Sequence, residues 1–289
     1  MHTPAVSIMI PVRPASPGLG RALASLAIQR VADWEAVVVL DGPCVVNRAL
    51  VRRFADPRVQ LVEFDRQRGR GAARAAALER CRAPWIGFLD ADDWYTPTKL
   101  ATQLGCVDED SSLEVVTTGM FIVDAGNELR GVRGLEGQGR AGGTIGALPF
   151  APSLVRAERA RRAGFDARLR SSEDRAFLAA AVPGAWWRSV ADPLYVYDEY
   201  GQQDALRSLR SAVTTTRLAL REHGPGRAAA VTAARQALRA GGTVAAHAAG
   251  LGEWLVARRS DAPSPEQVAR FLVARHLLDD ELRARGLAS

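Results

Sequence analysis

Four short apolar runs alternate with helix-forming stretches along residues 6–89, and this rhythm narrows the possible folds more than any other feature of the chain. Val6-Ser-Ile-Met-Ile-Pro-Val12 is β-rich and carries Pro11 near its end. Trp34-Glu-Ala-Val-Val-Val-Leu40, Val59-Gln-Leu-Val-Glu-Phe64 and Trp85-Ile-Gly-Phe-Leu89 have the same character. Runs this short and this apolar read as buried strands. Stretches 20–29, 47–54 and 71–82 between them read as helices. The alternation implies βαβ units, hence an α/β fold with a mainly parallel sheet. Ligands of such sheets sit outside the carboxyl ends of the strands. Asp41 and Asp90 follow the second and fourth strands, so they are expected to converge on one crevice. Stretches 113–123 and 192–197 read as further strands. The glycine-rich stretch 131–146 has no periodicity and reads as a loop.

The chain of 289 residues is long enough for a sizeable core, and its 47% apolar and 24% charged residues exclude a disordered or collagen-like protein. Residues 1–204 hold equal numbers of acidic and basic groups, so the net charge of +6 belongs to residues 205–289. A nucleic-acid-binding domain usually carries such charge on its working fold, which argues against a nucleic-acid partner. Cys44, Cys81 and Cys106 are an odd set without CxxC spacing, which fits a reducing cytoplasm rather than a disulfide scaffold or zinc site. No leader pattern opens the chain, and no apolar window reaches the roughly 18 residues of a membrane span. Past residue 204 the pattern turns helical, which divides the chain into a domain over 1–204 and a helical region over 205–289. There, Ser264-Pro-Glu-Gln267 opens a helix expected to be buried through Val268, Phe271, Leu272, Leu278 and Leu282. Arg207, Arg210, Arg217 and Arg221 recur at helical spacing. They form either a solvated face or a surface for an anionic membrane.

Phe88-Leu-Asp-Ala-Asp-Asp-Trp-Tyr-Thr-Pro97 places Asp90, Asp92 and Asp93 at the end of an apolar strand. Unneutralised, three adjacent carboxylates repel one another and raise one another's pKa. A hard divalent cation, Mg²⁺ or Mn²⁺, removes that repulsion and commonly completes its shell with substrate phosphates. The plainer reading is an acidic helix start. The string also approaches the haloacid dehalogenase motif, but Trp94 stands where that family has Thr or Val.

Several segments, taken in order, resemble the family-2 glycosyltransferases of the GT-A fold. Val37-Val-Val-Leu-Asp-Gly42 is similar to that family's (V/I)VDDGS strand, with Leu40 in place of its first Asp. Arg68-Gly-Arg-Gly-Ala-Ala-Arg74 resembles its NxGxxxARN segment. The stretch 88–100 resembles FLDADDxxxPxKL, Gly164-Phe-Asp-Ala-Arg-Leu169 with Glu173-Asp174 resembles GxFDExL…ED, and Pro193-Leu-Tyr-Val-Tyr197 resembles PLYxYR. The resemblance spans about residues 5–200. It implies a Rossmann-like sheet, a nucleotide-sugar donor, a hydroxyl acceptor and inverting transfer aided by Mn²⁺ or Mg²⁺. It also implies that Asp41 reads a base N–H, uracil or thymine, in a pocket lined by Pro11 and Val12. Asp90 would contact the ribose. Asp92 would bind the metal, with Asp93 beside it as a ligand or behind it. Arg70 and Arg74 are candidates for the diphosphate, Asp174 for the general base, and Trp94 and Glu173 for acceptor contacts.

Besides Leu40, the chain departs from the family at three places. Arg13-Pro14 stands where Tyr-Asn is common, which puts Arg13 at the donor pocket. Ala75 replaces the ARN asparagine. No histidine follows Tyr197, leaving Asp198, Glu199, Asp204 or water to complete a metal shell. Two rivals follow: a non-catalytic GT-A domain that binds nucleotide sugars or glycans, and a nucleotidyltransferase. The second lacks its glycine- and lysine-rich phosphate loop, since Lys99 is the one lysine. A membrane surface and a second copy of the chain are further candidate partners.

Overall fold

The computed structural model describes residues 2–134, 136–141, 148–169, 172–199, 226–248 and 258–287, together with 213, 216 and 220. The expected α/β architecture is present. Strands β1 (Val6–Val12), β2 (Trp34–Leu40), β3 (Val59–Glu63) and β4 (Trp85–Phe88) run parallel, in the spatial order β3-β2-β1-β4. Beyond β4 the sheet continues through β9 (Leu154–Arg156), β6 (Val115–Val123), β10 (Trp186–Asp198) and β5 (Trp94–Tyr95). β9 is antiparallel to both of its neighbours, β6 and β10 are parallel, and β5 lies antiparallel on β10. β7 (Leu129–Arg133) pairs with β6, and β8 (Gly137–Arg140) pairs with β10.

Helices cover both faces. Ile8, Ile10 and Val12 of β1 pack with Val38 and Leu40 of β2 under α1 (Leu19–Ala27) and α2 (Val45–Phe54). Met9, Val37 and Val39 point the other way. They meet α3 (Arg70–Arg80), α5 (Ala157–Ala163) and α6 (Glu173–Ala181). Burial on both faces is why these strands are continuously apolar rather than alternating. α4 (Lys99–Glu109) follows β5 and contacts β6.

The stretch read as a loop over 131–146 is ordered where it is described. Gly137–Arg140 form β8, antiparallel to Trp186–Ser189 of β10. Gly137 and Gly139 sit at φ +139° and +153°. Backbone pairing needs no apolar pattern, so the sequence carried no sign of this strand.

Among the described residues two helices follow, α7 (Arg227–Ala248) and α8 (Pro265–Ala284). α8 begins with the expected capping box between Ser264 and Gln267. Phe271, Ala274, Leu278 and Leu282 are buried with Trp94, Phe121 and Val132. Leu272 is instead 46% exposed, because the buried stripe follows 271, 274, 278 and 282 and leaves 272 on its flank. Asp261 bridges to Val132 beside β7, and Arg285 donates to the Phe54 carbonyl while lying over that ring. Residues 261–287 thus share the core of the sheet. Among the described residues no helix is long and apolar enough to cross a membrane. Asp204 and the four arginines at 207, 210, 217 and 221 lie outside the described residues.

Candidate active site

The carboxyl ends of β1, β2 and β4 lie side by side along one edge of the sheet, with Asp41 and Asp90 following the two strands that flank β1. β1 ends at Pro11 and Val12, both buried, and Arg13 follows, exposed. Asn47 Nδ2 donates to the Arg13 carbonyl at 3.2 Å, tying the turn after β1 to α2. Asp41 follows β2 and is buried. Its Oδ1 accepts the Arg68 N–H at 2.6 Å and the Gly69 N–H at 3.0 Å. Gly69, at φ +97°, leads directly into α3. The carboxylate therefore seats the loop that delivers α3 to the site.

β4 delivers Asp90, Asp92 and Asp93, each with an oxygen within 4.8 Å of the others. The loop is pressed against the start of α1. A Cβ on Gly18 would lie 2.6 Å from the Ala91 carbonyl oxygen and 2.8 Å from the Asp92 Cα, so glycine is required at this close approach. Asp93 is fully buried. It accepts the Tyr195 hydroxyl at 2.6 Å and the Asp198 N–H at 2.9 Å, which pins the end of β10 to the loop. Burial and the charges of Asp92 and Asp90 hold the Asp93 carboxyl well above the usual range. Asp92 is also raised, by burial and then by Asp90, with Arg13 acting in the opposite direction. Three oxygen donors whose ionisation is mutually opposed fit a hard divalent cation, which would relieve that opposition.

α3 and α6 complete the site. Gly71 permits the first turn of α3 to touch the 166–169 turn, where a Cβ would lie 2.5 Å from the Asp166 carbonyl oxygen and 2.6 Å from that of Leu169. α6 then opens with Glu173 and Asp174. Ser172, just before them, holds φ +59°, an unfavourable left-handed conformation for a non-glycine residue. Asp174 is half-buried and accepts the Arg175 N–H.

Three expected roles change here. Arg74 is not displayed for a diphosphate. It is buried, donating from Nη2 to Asp90 Oδ1 and from Nη1 to Glu173 Oε1, both at 2.7 Å, with its guanidinium 4.6 Å from the centre of the Phe150 ring. Glu173 is not a surface acceptor contact. It is 1% exposed, with Arg70 Nε also 3.2 Å from Oε1 and with Oε2 unpartnered. Trp94 does not offer a stacking face. It is 1% exposed, donates to Asn127 Oδ1 at 2.9 Å and packs on Phe271. An indole next to an acidic loop looks available in the sequence, but β5 turns it into the core. Tyr195 and Phe150 are the residues whose roles sequence reasoning missed. Tyr195 lies inside the Pro193–Tyr197 motif, but nothing there says that its hydroxyl donates to Asp93, and Phe150 has no local sign that it covers Arg74.

The profile described as Glycosyl transferase family 2 matches residues 7–147. These residues are a family 2 glycosyltransferase domain. The domain resembles the succinoglycan biosynthesis protein ExoO of Rhizobium meliloti, 37% identical over 97 residues, which is 34% of this chain and 28% of ExoO. It also resembles the glucosyltransferase WfgD of Escherichia coli, named UDP-Glc:alpha-D-GlcNAc-diphosphoundecaprenol beta-1,3-glucosyltransferase. That match is 32% identical over 99 residues, 34% of this chain and 39% of WfgD. The matched stretch therefore spans between a quarter and two-fifths of these curated relatives. S. aureus TarS 1-349 in complex with UDP-GlcNAc superposes with a TM-score of 0.60 at 16% identity, covering 98% of this chain and 83% of TarS 1-349. The mannosyltransferase PcManGT of Pyrobaculum calidifontis, in complex with GDP-Man and Mn²⁺, gives 0.57 at 17%, covering 99% and 88%. The glycosyltransferase domain thus has the GT-A fold. The match to the family profile ends before Glu173 and Asp174, so the reading of that pair rests on geometry and on the motif order.

Proposed function

We propose that the chain transfers a sugar, with inversion, from a UDP- or dTDP-sugar to a hydroxyl acceptor. The observation that carries this is the meeting of two carboxylate groups at one crevice. Asp90 and Asp92 lie at the end of β4, Glu173 and Asp174 at the start of α6, and Arg74 touches both sides. Pro11 and Val12 line the base pocket, and Asp41, whose two oxygens already accept the Arg68 and Gly69 N–H groups, accepts the base N–H as well. Asp90 orients the ribose. Arg13 and Arg70 flank the diphosphate. Asp92 and Asp90 would hold a Mn²⁺ or Mg²⁺, with Asp93 bracing them, and a bound cation there would offset charge on the leaving diphosphate. Asp174 takes the proton of the acceptor hydroxyl as that oxygen attacks the anomeric carbon from the face opposite the diphosphate. A single displacement needs no protein nucleophile. WfgD carries a diphosphoundecaprenol acceptor in its name, and a glycan or lipid-linked hydroxyl is the acceptor class we assign here. Peripheral contact of the C-terminal region with an anionic membrane face in the cytoplasm accords with that acceptor.

Asp174→Asn tests the reading. It should lower kcat about 10²- to 10⁴-fold, the usual worth of a general base. The Mn²⁺-dependent rise in melting temperature caused by UDP should persist, since binding stabilises by mass action whether or not turnover follows. Undiminished turnover would remove Asp174 from the base role. Absence of transfer from the unmodified protein across a panel of donors, with UDP still binding, would favour the non-catalytic alternative.

A further inference from the structure

Arg74 spends both arms of its guanidinium on carboxylates that belong to opposite halves of the site. Nη2 reaches Asp90 at the end of β4, and Nη1 reaches Glu173 at the start of α6, each at 2.7 Å. The group is buried, and Phe150 covers one face. A planar fork in a dry setting accepts little angular freedom, so its two partners are held at a set separation. Glu173 needs such holding. The chain enters α6 through the strained Ser172, and one residue after Glu173 comes Asp174. Below that turn, Phe177 stacks on Phe165 with ring centres 4.4 Å apart, which anchors α6 further along but not at its tip.

We infer that Arg74 is a positioning residue, which sets the place of Asp174 relative to the donor side of the site by bridging Asp90 and Glu173. The inference rests on Asp174 being the base. Arg70 adds a second contact to Glu173 from the same helix face of α3, one turn earlier. The charge of Arg74 also acts on Asp174 directly, so losing the fork would alter both the position and the surroundings of that carboxylate.

The experiment uses Glu173→Gln, which keeps shape and an acceptor oxygen but loses the charge that grips Arg74. It leaves the Asp90 arm in place. Arg74→Lys keeps the charge but cannot reach both partners at once. Each is expected to lower kcat at least 10-fold, while the UDP dissociation constant with Mn²⁺ changes less than 3-fold and the melting temperature stays within a few degrees. In the double variant the loss in kcat should not exceed that of the worse single change, because both break one linkage. A rise in KM with kcat retained, or losses that multiply in the double variant, would overturn the inference. If Asp174→Asn abolishes transfer while both variants keep full kcat, the base assignment stands and only the Arg74 inference fails. If Asp174→Asn is fully active, the base assignment itself has failed.

Discussion

Lys99 shows how a single residue can set a pH dependence outside the active site. It is the one lysine of the chain and is fully buried. Its ammonium donates to Gln103 Oε1 at 2.6 Å and lies 4.1 Å from the centre of the Tyr95 ring. Burial holds its pKa well below the usual lysine value. An unfolded chain keeps this lysine protonated up to about pH 10.4, whereas the folded chain releases the proton earlier. The unfolded state therefore binds more protons between those two values, and stability rises with pH across that window. Lys99→Met should flatten this rise. Denaturant midpoints measured from about pH 6 to 10 should climb more steeply for the unmodified protein, and parallel curves would contradict the assignment. At this scale the acidic string after the fourth strand does bring Asp90, Asp92 and Asp93 within reach of one another. The same string misplaced Trp94 because exposure is a property of the fold and not of the neighbouring letters.

Among the elements, the β4–β5 loop and the start of α1 form one rigid unit. Gly18 is the contact point. Gly18→Ala would drive a methyl into backbone atoms of Ala91 and Asp92, which have no flexible end to yield. Overpacking of this kind costs about 1–3 kcal/mol. The displaced atoms belong to the carboxylate loop, so the expected outcome is a smaller Mn²⁺-dependent thermal shift on adding UDP, beyond a modest fall in the melting temperature. An unchanged metal-dependent shift would show that the loop tolerates the push. Most elements were legible because their apolar runs are buried on both faces, as in β1 and β2. β8 was not, since a glycine-rich edge held by main-chain bonds to β10 has no side-chain pattern to read. β10 starts earlier than its sequence signal, at Trp186, because β6 and β8 supply partners for its first half.

Across the whole molecule, the last helix is built into the glycosyltransferase domain. Phe271 is fully buried, 5.8 Å from Trp94 and 5.3 Å from Phe121 between ring centres. Phe271→Ala is expected to cost about 3–5 kcal/mol, the range for removing a buried aromatic ring. Chemical denaturation should give a single transition moved to lower denaturant, reported alike by tryptophan fluorescence and circular dichroism. A separate early transition would mean that residues 261–287 unfold independently of the sheet. The surplus positive charge of the C-terminal part is partly engaged. Arg270 pairs with Asp192, Arg275 with Glu128, and Arg285 with Glu281. Exposed ion pairs of this type contribute little to stability, but here the first two tie α8 to β10 and to the turn before β7.

Local pattern was enough to read the parallel strands, the crossover helices and the carboxylates at the end of β4. Apolar periodicity and carboxylate spacing are local properties, and each segment expresses them without help from distant parts. Packing, by contrast, settles which of the charged groups are buried and paired. Arg70, Arg74 and Glu173 look alike in the sequence, as charged residues at helix starts. Their fates depend on what the packing of α3 against α6 covers. Once buried, a charge needs a partner, so Arg74 and Glu173 take each other and turn from surface contacts into a brace. The same logic draws the C-terminal helix into the core. Its apolar stripe was readable, but the surface waiting for it, made by Trp94, Phe121 and Val132, exists only after β5, β6 and β7 have come together.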